Sequence, residues 1–238
     1  MTTTDAPAGG THAPDAVLDA PPVSTTGRPL TTRGEATRRK LLEAGEHVFA
    51  DLGYHEASIV RITERAGVGL GTFYLYFDGK QQIFEELVVD LNRRVRHSMA
   101  EAMAGAATRI DAERAGVEGF FRFTAAHPAL YRVVREAEFV SPDMLRLHYT
   151  RIVEAYEEGL RAAQLVGDVD AALDPEVTAW ALMGAGELIG MRFLLWERDA
   201  DGAVPAEIPT EIVDGMMRFI RNALAPRREA GNDGGTDA

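Results

Sequence analysis

Ser58-Ile-Val-Arg-Ile-Thr-Glu-Arg-Ala-Gly-Val-Gly-Leu-Gly-Thr-Phe-Tyr-Leu-Tyr-Phe-Asp-Gly-Lys80 is the stretch whose reading decides the fold: two short helices joined at a glycine. Ser58 supplies the first N-cap, its hydroxyl placed to accept from an amide two or three residues on. Ile59, Ile62 and Ala66 then recur at helical spacing and face a core, with Arg61, Glu64 and Arg65 turned outward. Gly67 falls where a helix end favours a left-handed residue, which glycine adopts cheaply. Val68 is expected to be the buried residue of the turn, Gly69 the next N-cap, and Leu70 to Tyr76 about two turns of helix. Phe73 and Phe77 pack inward, which leaves Leu70, Gly71, Thr72, Tyr74, Leu75 and Tyr76 on other faces. A helix this short buries little surface of its own. Its small, hydroxyl and aromatic groups fit a DNA major groove instead.

Two other readings of the glycines compete. A phosphate-cradling loop would need a preceding strand and a following Gly-Lys-Ser/Thr; neither is present, and the spacing misses the dinucleotide fingerprint. An ordinary helical hairpin inside an all-α core is the blander alternative.

The stretch resembles the TetR family of bacterial transcriptional repressors. The likeness is carried by Ile62, the Ala66-Gly67-Val68 turn, Gly71-Thr72-Phe73-Tyr74, Tyr76-Phe77 and Lys80. Upstream, Arg38 to Gly53 is similar to the family's first helix, with Phe49-Ala50 and Gly53-Tyr54 at its end. The family usually has serine where Gly69 stands and alanine where Thr63 stands; losing the serine removes a capping bond of roughly 1 kcal/mol and one potential phosphate contact. The resemblance implies roles residue by residue. Thr72 and Tyr74 would face bases, with Leu70 and Gly71 allowing close approach. Ser58, Lys80 and Tyr76 would hold phosphates, and Arg61 would reach a base edge or a phosphate.

Moving outward, Arg28, Arg33, Arg38, Arg39 and Lys40 cluster ahead of and into the first helix, opposed only by Glu35. Such a cluster suits backbone phosphates, Arg38 included, and its binding would weaken steeply with salt; a solvated charge run at a helix start is the alternative. The net charge of −12 argues against DNA only if its distribution is ignored. Between Arg28 and Lys80 there are about eight basic and seven acidic side chains, so the acidity lies elsewhere.

The 238 residues supply ample material for a core, and 46 % hydrophobic with 26 % charged residues describes a soluble globular protein. No apolar run approaches the roughly 20 residues that span a bilayer, and no secretory signal is evident. Cysteine is absent and the six histidines show no ligand spacing, so no metal and no cofactor is expected. A cytoplasmic location follows.

The expected fold is all-α, with residues 1–30 a disordered tail, 31–80 a three-helix DNA-binding unit, 81–225 a ligand-binding and dimerisation domain, and 226–238 a second disordered tail. A long helix from Lys80 into Met103 would bridge the two halves. Beyond it, helices are expected from Arg109 to His127-Pro128, from Ala129 to Glu138, from an N-cap at Ser141 to about Leu165, from Pro175 through Trp196, and from Thr210 to Leu224 with Ile212, Val213, Met216, Phe219 and Ile220 inward. Residues 176–196 are apolar nearly all round, which means burial on more than one side, and Gly184, Gly186 and Gly190 would admit a close neighbour. In the family the last two helices pair with their copies, so the resemblance implies a homodimer through 175–197 and 210–224. A buried core helix in a monomer is the other reading.

The resemblance also implies a small-molecule inducer that shifts the two reading heads off a double-stranded DNA operator. Candidate pocket residues are Phe120, Phe123, Phe139, Met144, Tyr149, Trp180, Met183, Glu187, Met191 and Trp196, each of which could equally be plain core. Glu187 and Arg192 stand out because charges in an apolar helix are costly unless paired or used. The stretch from His127 to Phe139 is similar to a subgroup of these regulators linked to fatty-acid or acyl-CoA metabolism, which makes an apolar, acyl-CoA-like inducer the expectation. An all-helical enzyme lacks any paired-carboxylate, Glu-x-x-His or nucleophile-elbow motif here. A helical scaffold would leave the Gly71–Tyr74 surface unexplained.

Overall fold

Thr31 opens the first helix by accepting from the Gly34 amide at 3.2 Å, and α1 then runs Thr32–Glu56. Its amphipathic face buries Leu41, Leu42, Val48 and Phe49, and the helix breaks at Gly53, where φ is 77°. Ser58 caps α2 (Ile59–Ala66) by accepting from the Arg61 amide at 3.3 Å, and Gly67 ends it in the left-handed conformation at φ 67°. The short α3 covers Leu70–Phe73. It does not extend as a helix to Tyr76. Residues 74–76 wind on through tighter bonds from Leu75 and Tyr76 to Thr72 and Phe73, because Phe73 and Phe77 must both reach the core within one turn. Val68 is half-buried in the turn, while Ile62 is fully enclosed.

Next comes α4 (Lys80–Met103), then α5 (Arg109–Ala126), α6 (Ala129–Val140) and α7 (Pro142–Leu165). Then α8 (Pro175–Gly190) widens into π turns over Met191–Trp196, and α9 is Thr210–Leu224. The structure, a computed structural model, describes residues 23–196, 205 and 207–226. Most of the expected tails and of the acidic loop after Trp196 therefore lies outside the described residues. Among the described residues the protein is all-α, with no strand beyond one isolated bridge between Val23 and Pro29.

Three further expectations need correction. Residues 23–30, read as part of a structureless tail, form a closed turn whose Thr25 is bonded to the backbone of Tyr74 and Leu75. Ser141 precedes α7 but makes no side-chain cap; its hydroxyl donates to Glu85 at 2.9 Å. Phe219 points outward, since α9 buries Val213, Met216, Met217, Ile220 and Leu224 along its other side.

Two apolar clusters hold the molecule together. One joins α1–α3 to α4 and, through Val133, Val134 and Ala137, to α6. The other joins α5, α7, α8 and α9 around Leu160, Leu182, Leu194, Met216 and Ile220. The head's core thus continues past residue 80 into α4 and α6.

Candidate nucleic-acid interface and ligand cavity

The head presents one face of α3 to solvent. Leu70 and Tyr74 are 47 % and 48 % exposed, Leu75 is more exposed still, and nothing lies within 4 Å of where a Cβ on Gly71 would be. Thr72 is half-buried between them. Phe73 and Phe77 anchor this face from beneath with no exposed surface, and the Tyr74 ring stands edge-on to Phe73 at 5.4 Å. A rigid, low-profile surface results, of the kind that approaches base edges closely. Beside it Arg61 is exposed. The Ser58 oxygen accepts the Arg61 amide, which leaves its own proton free to donate to a phosphate. Tyr76 is half-buried against the core.

Two cations expected on phosphates are engaged internally. Lys80 Nζ donates to the carbonyls of Tyr54 (2.7 Å), His55 (3.2 Å) and Ala57 (2.9 Å) and lies 4.4 Å from the Tyr54 ring centroid. An ammonium has three protons, and all three are directed at the end of α1, where the break at Gly53 leaves carbonyls without helical partners. Arg38 is ion-paired with Glu86 and lies over the Phe77 ring at 5.3 Å. Both side chains hold the head together in this structure, a role that sequence spacing did not indicate.

The second feature is an interior cavity of about 80 Å³ at the seam between the two apolar clusters. Of the sequence candidates, Phe120, Tyr149, Met183 and Glu187 line it. The others do not. Phe123 packs on His127 at 4.5 Å, Met144 lies against the head's core, and Met191 accepts a contact from Arg135. Trp180 and Trp196 are exposed on α8 and its π turns, and Phe139 is 82 % exposed. Apolar composition alone does not tell inward from outward. Lining residues that sequence reasoning missed include Met99, Met103, Tyr131, His148 and Met216.

Buried polar groups punctuate the apolar wall. Glu113 is 2 % exposed and is held by Arg109 at 2.7 Å from Nε, while the Tyr156 hydroxyl donates to its other oxygen. Burial, then the Glu113 charge, pushes the Tyr156 phenol well above its ordinary value, so it stays a donor. Glu187 accepts from the Tyr149 hydroxyl at 2.8 Å, and burial with that carboxylate pushes the Tyr149 phenol up. Tyr131 donates to the Glu187 carbonyl at 3.0 Å. Tyrosine, not Arg192, is therefore the partner of Glu187; the Arg192 guanidinium lies 5.0 Å from the Phe193 ring centroid. Burial lowers His148 to about 4, with Arg96 adding to the effect, so the imidazole is neutral. Asn92 Nδ2 approaches its Nδ1 at 3.2 Å and donates to its carbonyl at 2.9 Å.

Cavity and head share a wall. One side of α6 gives Leu130, Tyr131 and Val134 to the cavity. Its other side grips the end of α1: Arg132 donates to the Ala50 carbonyl at 2.6 Å, and Glu136 accepts the Tyr54 amide at 2.7 Å. A second link runs through Glu46 of α1, 2.9 Å from both Arg94 of α4 and His127 at the end of α5. Burial pushes the Glu46 carboxyl up, but the bonds and charges of Arg94 and His127 outweigh it and hold the group below the usual value.

Val177, Trp180, Gly184 and Leu188 form one stripe along α8 that α9 does not cover; Val177 and Leu188 are 67 % and 61 % exposed, and a Cβ on Gly184 would meet open space. Phe219 adds to the exposed apolar surface from α9. No group of residues suited to a metal, and no helix long and apolar enough to cross a membrane, occurs among the described residues.

A family model described as bacterial regulatory proteins, tetR family, matches residues 41–87. The chain is 34 % identical over 190 residues to the HTH-type transcriptional regulator BetI of Cronobacter sakazakii, covering 79 % of this chain and 91 % of that protein. It is 29 % identical over 193 residues to the uncharacterized HTH-type transcriptional regulator YdgC of Bacillus subtilis, covering 79 % and 96 %. The fold is similar to the crystal structure of the transcriptional regulator FadR from Bacillus subtilis in complex with stearoyl-CoA, with a TM-score of 0.66 and 18 % identity over 78 % of this chain and 98 % of that one.

Proposed function

Because this chain belongs to the TetR family of bacterial regulatory proteins, we propose that it acts as a homodimeric repressor released from a pseudo-palindromic operator by an apolar small molecule. It is a DNA-binding transcriptional regulator and not an enzyme. The observation that carries the reading is the face of α3, where Leu70, Gly71, Thr72 and Tyr74 stand on a floor of fully buried Phe73 and Phe77. In this reading residues 31–80 form the DNA-binding unit, with Ser58 and Arg61 flanking the base contacts, and residues 81–225 bind inducer and partner. Its operator lies on cytoplasmic DNA.

The uncovered stripe on α8, with Phe219 on α9, supports pairing of two copies. Two reading helices on one two-fold axis double the contacts and fix the half-site spacing. Leu188→Glu should give a monomer by sedimentation velocity and weaken operator binding.

The inducer is proposed to be acyl-like, with support from the FadR complex and from the cavity's apolar wall. The cavity is far below the roughly 300–1,000 Å³ of a typical ligand site, so an acyl chain must displace its lining. Met99, Met103, Met183 and Met216 are flexible enough to yield. Glu113 and Glu187 disfavour an anion inside, so the tail enters and a charged end stays at the mouth. The test is a mobility shift on the intergenic DNA upstream of the gene, with and without long-chain acyl-CoA. No preference among duplexes at moderate salt defeats the repressor reading. Binding that acyl-CoAs neither release nor accompany with a thermal shift defeats the inducer assignment alone.

A further inference from the structure

We propose that residues 23–29 form a second DNA-contacting element, a turn fastened to the end of the reading helix that places Arg28 on backbone phosphates beside the half-site. The inference rests on the DNA-binding reading of α3 and adds an element to it.

The turn is built, not trailing. Within Val23-Ser-Thr-Thr-Gly-Arg-Pro29, the Ser24 amide donates to the Arg28 carbonyl at 2.9 Å, and the Gly27 amide to the Ser24 carbonyl at 2.8 Å. The Arg28 amide donates to Ser24 Oγ at 3.1 Å, and Gly27 takes φ 74°, a conformation that favours glycine. A closed loop of seven residues results, bridged at its ends by Val23 and Pro29.

Its attachment is to the reading element. The Thr25 amide donates to the Leu75 carbonyl at 3.1 Å, and Thr25 Oγ1 donates to the Tyr74 carbonyl at 3.1 Å. A helix as short as α3 leaves its last carbonyls without helical donors, and Thr25 satisfies two just beyond its end. The side chains of those same residues, Tyr74 and Leu75, are exposed on the reading face. The turn therefore borders that face at its C-terminal edge and would move with it.

A helix lying in the major groove has phosphates along both walls and at its end. Arg28 is exposed, and it forms no ion pair with another described residue. This sets it apart from Arg38, and from Lys80 with its three carbonyls. Thr26, with its hydroxyl 3.0 Å from Ser24 Oγ, lies exposed beside it, and hydroxyls are ordinary donors to phosphate.

The test measures Kd against salt by fluorescence anisotropy, using full-length protein and a duplex selected by the wild-type chain from a random pool. Arg28→Ala should weaken binding about 5-fold near 0.1 M salt and reduce the log–log slope by about one. It should do so equally on selected and unrelated duplexes, with the melting temperature unchanged. Arg28→Lys should retain the slope, and Thr25→Val should reproduce part of the loss by loosening the turn. Unchanged affinity and slope in Arg28→Ala, while the wild type binds, overturns the inference. A loss confined to one flanking sequence also overturns it, by moving Arg28 to a base edge. If the wild type selects no duplex, the underlying reading of α3 fails first, and that control tells the two failures apart.

Discussion

In the head, Phe49, Phe73, Phe77 and Phe84 have no exposed surface, and Phe49 meets Phe84 edge-on at 5.3 Å while Phe73 meets Phe77 at 5.4 Å. In the body, four methionines, three tyrosines and two glutamates line the cavity together with Phe120, Phe121 and aliphatic side chains, and a void remains among them. Interlocked rings fix one geometry, as a surface that must match base edges requires. Flexible thioethers can be rearranged, as the proposed ligand site would require. Rigidity and plasticity are thus assigned to different parts of one chain.

The largest expected effect tests the rigid side. Phe73→Ala should cost about 3–5 kcal/mol in chemical denaturation and abolish DNA retardation; a loss under 1 kcal/mol would show that the head repacks as freely as the body. Next in size is a pH effect in the body. His148 is held near 4 when folded, against 6.5 for a free imidazole, so the unfolded chain binds the extra proton between those values. Stability should therefore fall as pH drops from 6.5 toward 4, by about 3 kcal/mol in total, and His148→Gln should flatten that part of the profile. Third, Lys80→Met should destabilise the head by about 1–3 kcal/mol, because three carbonyls lose their donor. A pure phosphate role would leave the melting temperature alone and flatten the salt slope instead. Smallest of all, Phe139→Ser should shift stability by no more than about 0.5 kcal/mol and leave inducer titration unchanged, since the ring lies in solvent.

The periodic elements were legible. α4 begins and ends where its apolar spacing predicts, at Lys80 and Met103, and α9 keeps its limits at Thr210 and Leu224. Ser58 and Gly67 fulfil the capping roles that their chemistry suggests. Side-chain direction was less legible. Phe139 is expected at the pocket, but it sits about 200° around α6 from Ala137, whose face is the buried one. Trp180 and Trp196 are expected at the pocket but lie on an outer face. Partners distant in sequence were not legible at all: Lys80 meets carbonyls 23 to 26 positions earlier, and Glu136 reaches back 82 positions to the Tyr54 amide. The turn at 23–29 escaped for a related reason. Its anchor is backbone carbonyls, which carry no residue signature.

One consequence follows from Gly53. A Cβ there would come within 2.5 Å of Glu136 Oε1 and 2.9 Å of Arg132 Nη2, so α6 rests on the bare backbone of the bend. A guest that needs more room than this cavity offers would push a wall outward, and the α6 wall is braced on that joint. If the cavity is the proposed inducer site, the protein would measure girth: within a homologous series of compounds, occupancy alone would be silent, and a response would start at the first member too bulky to be housed without tilting the head.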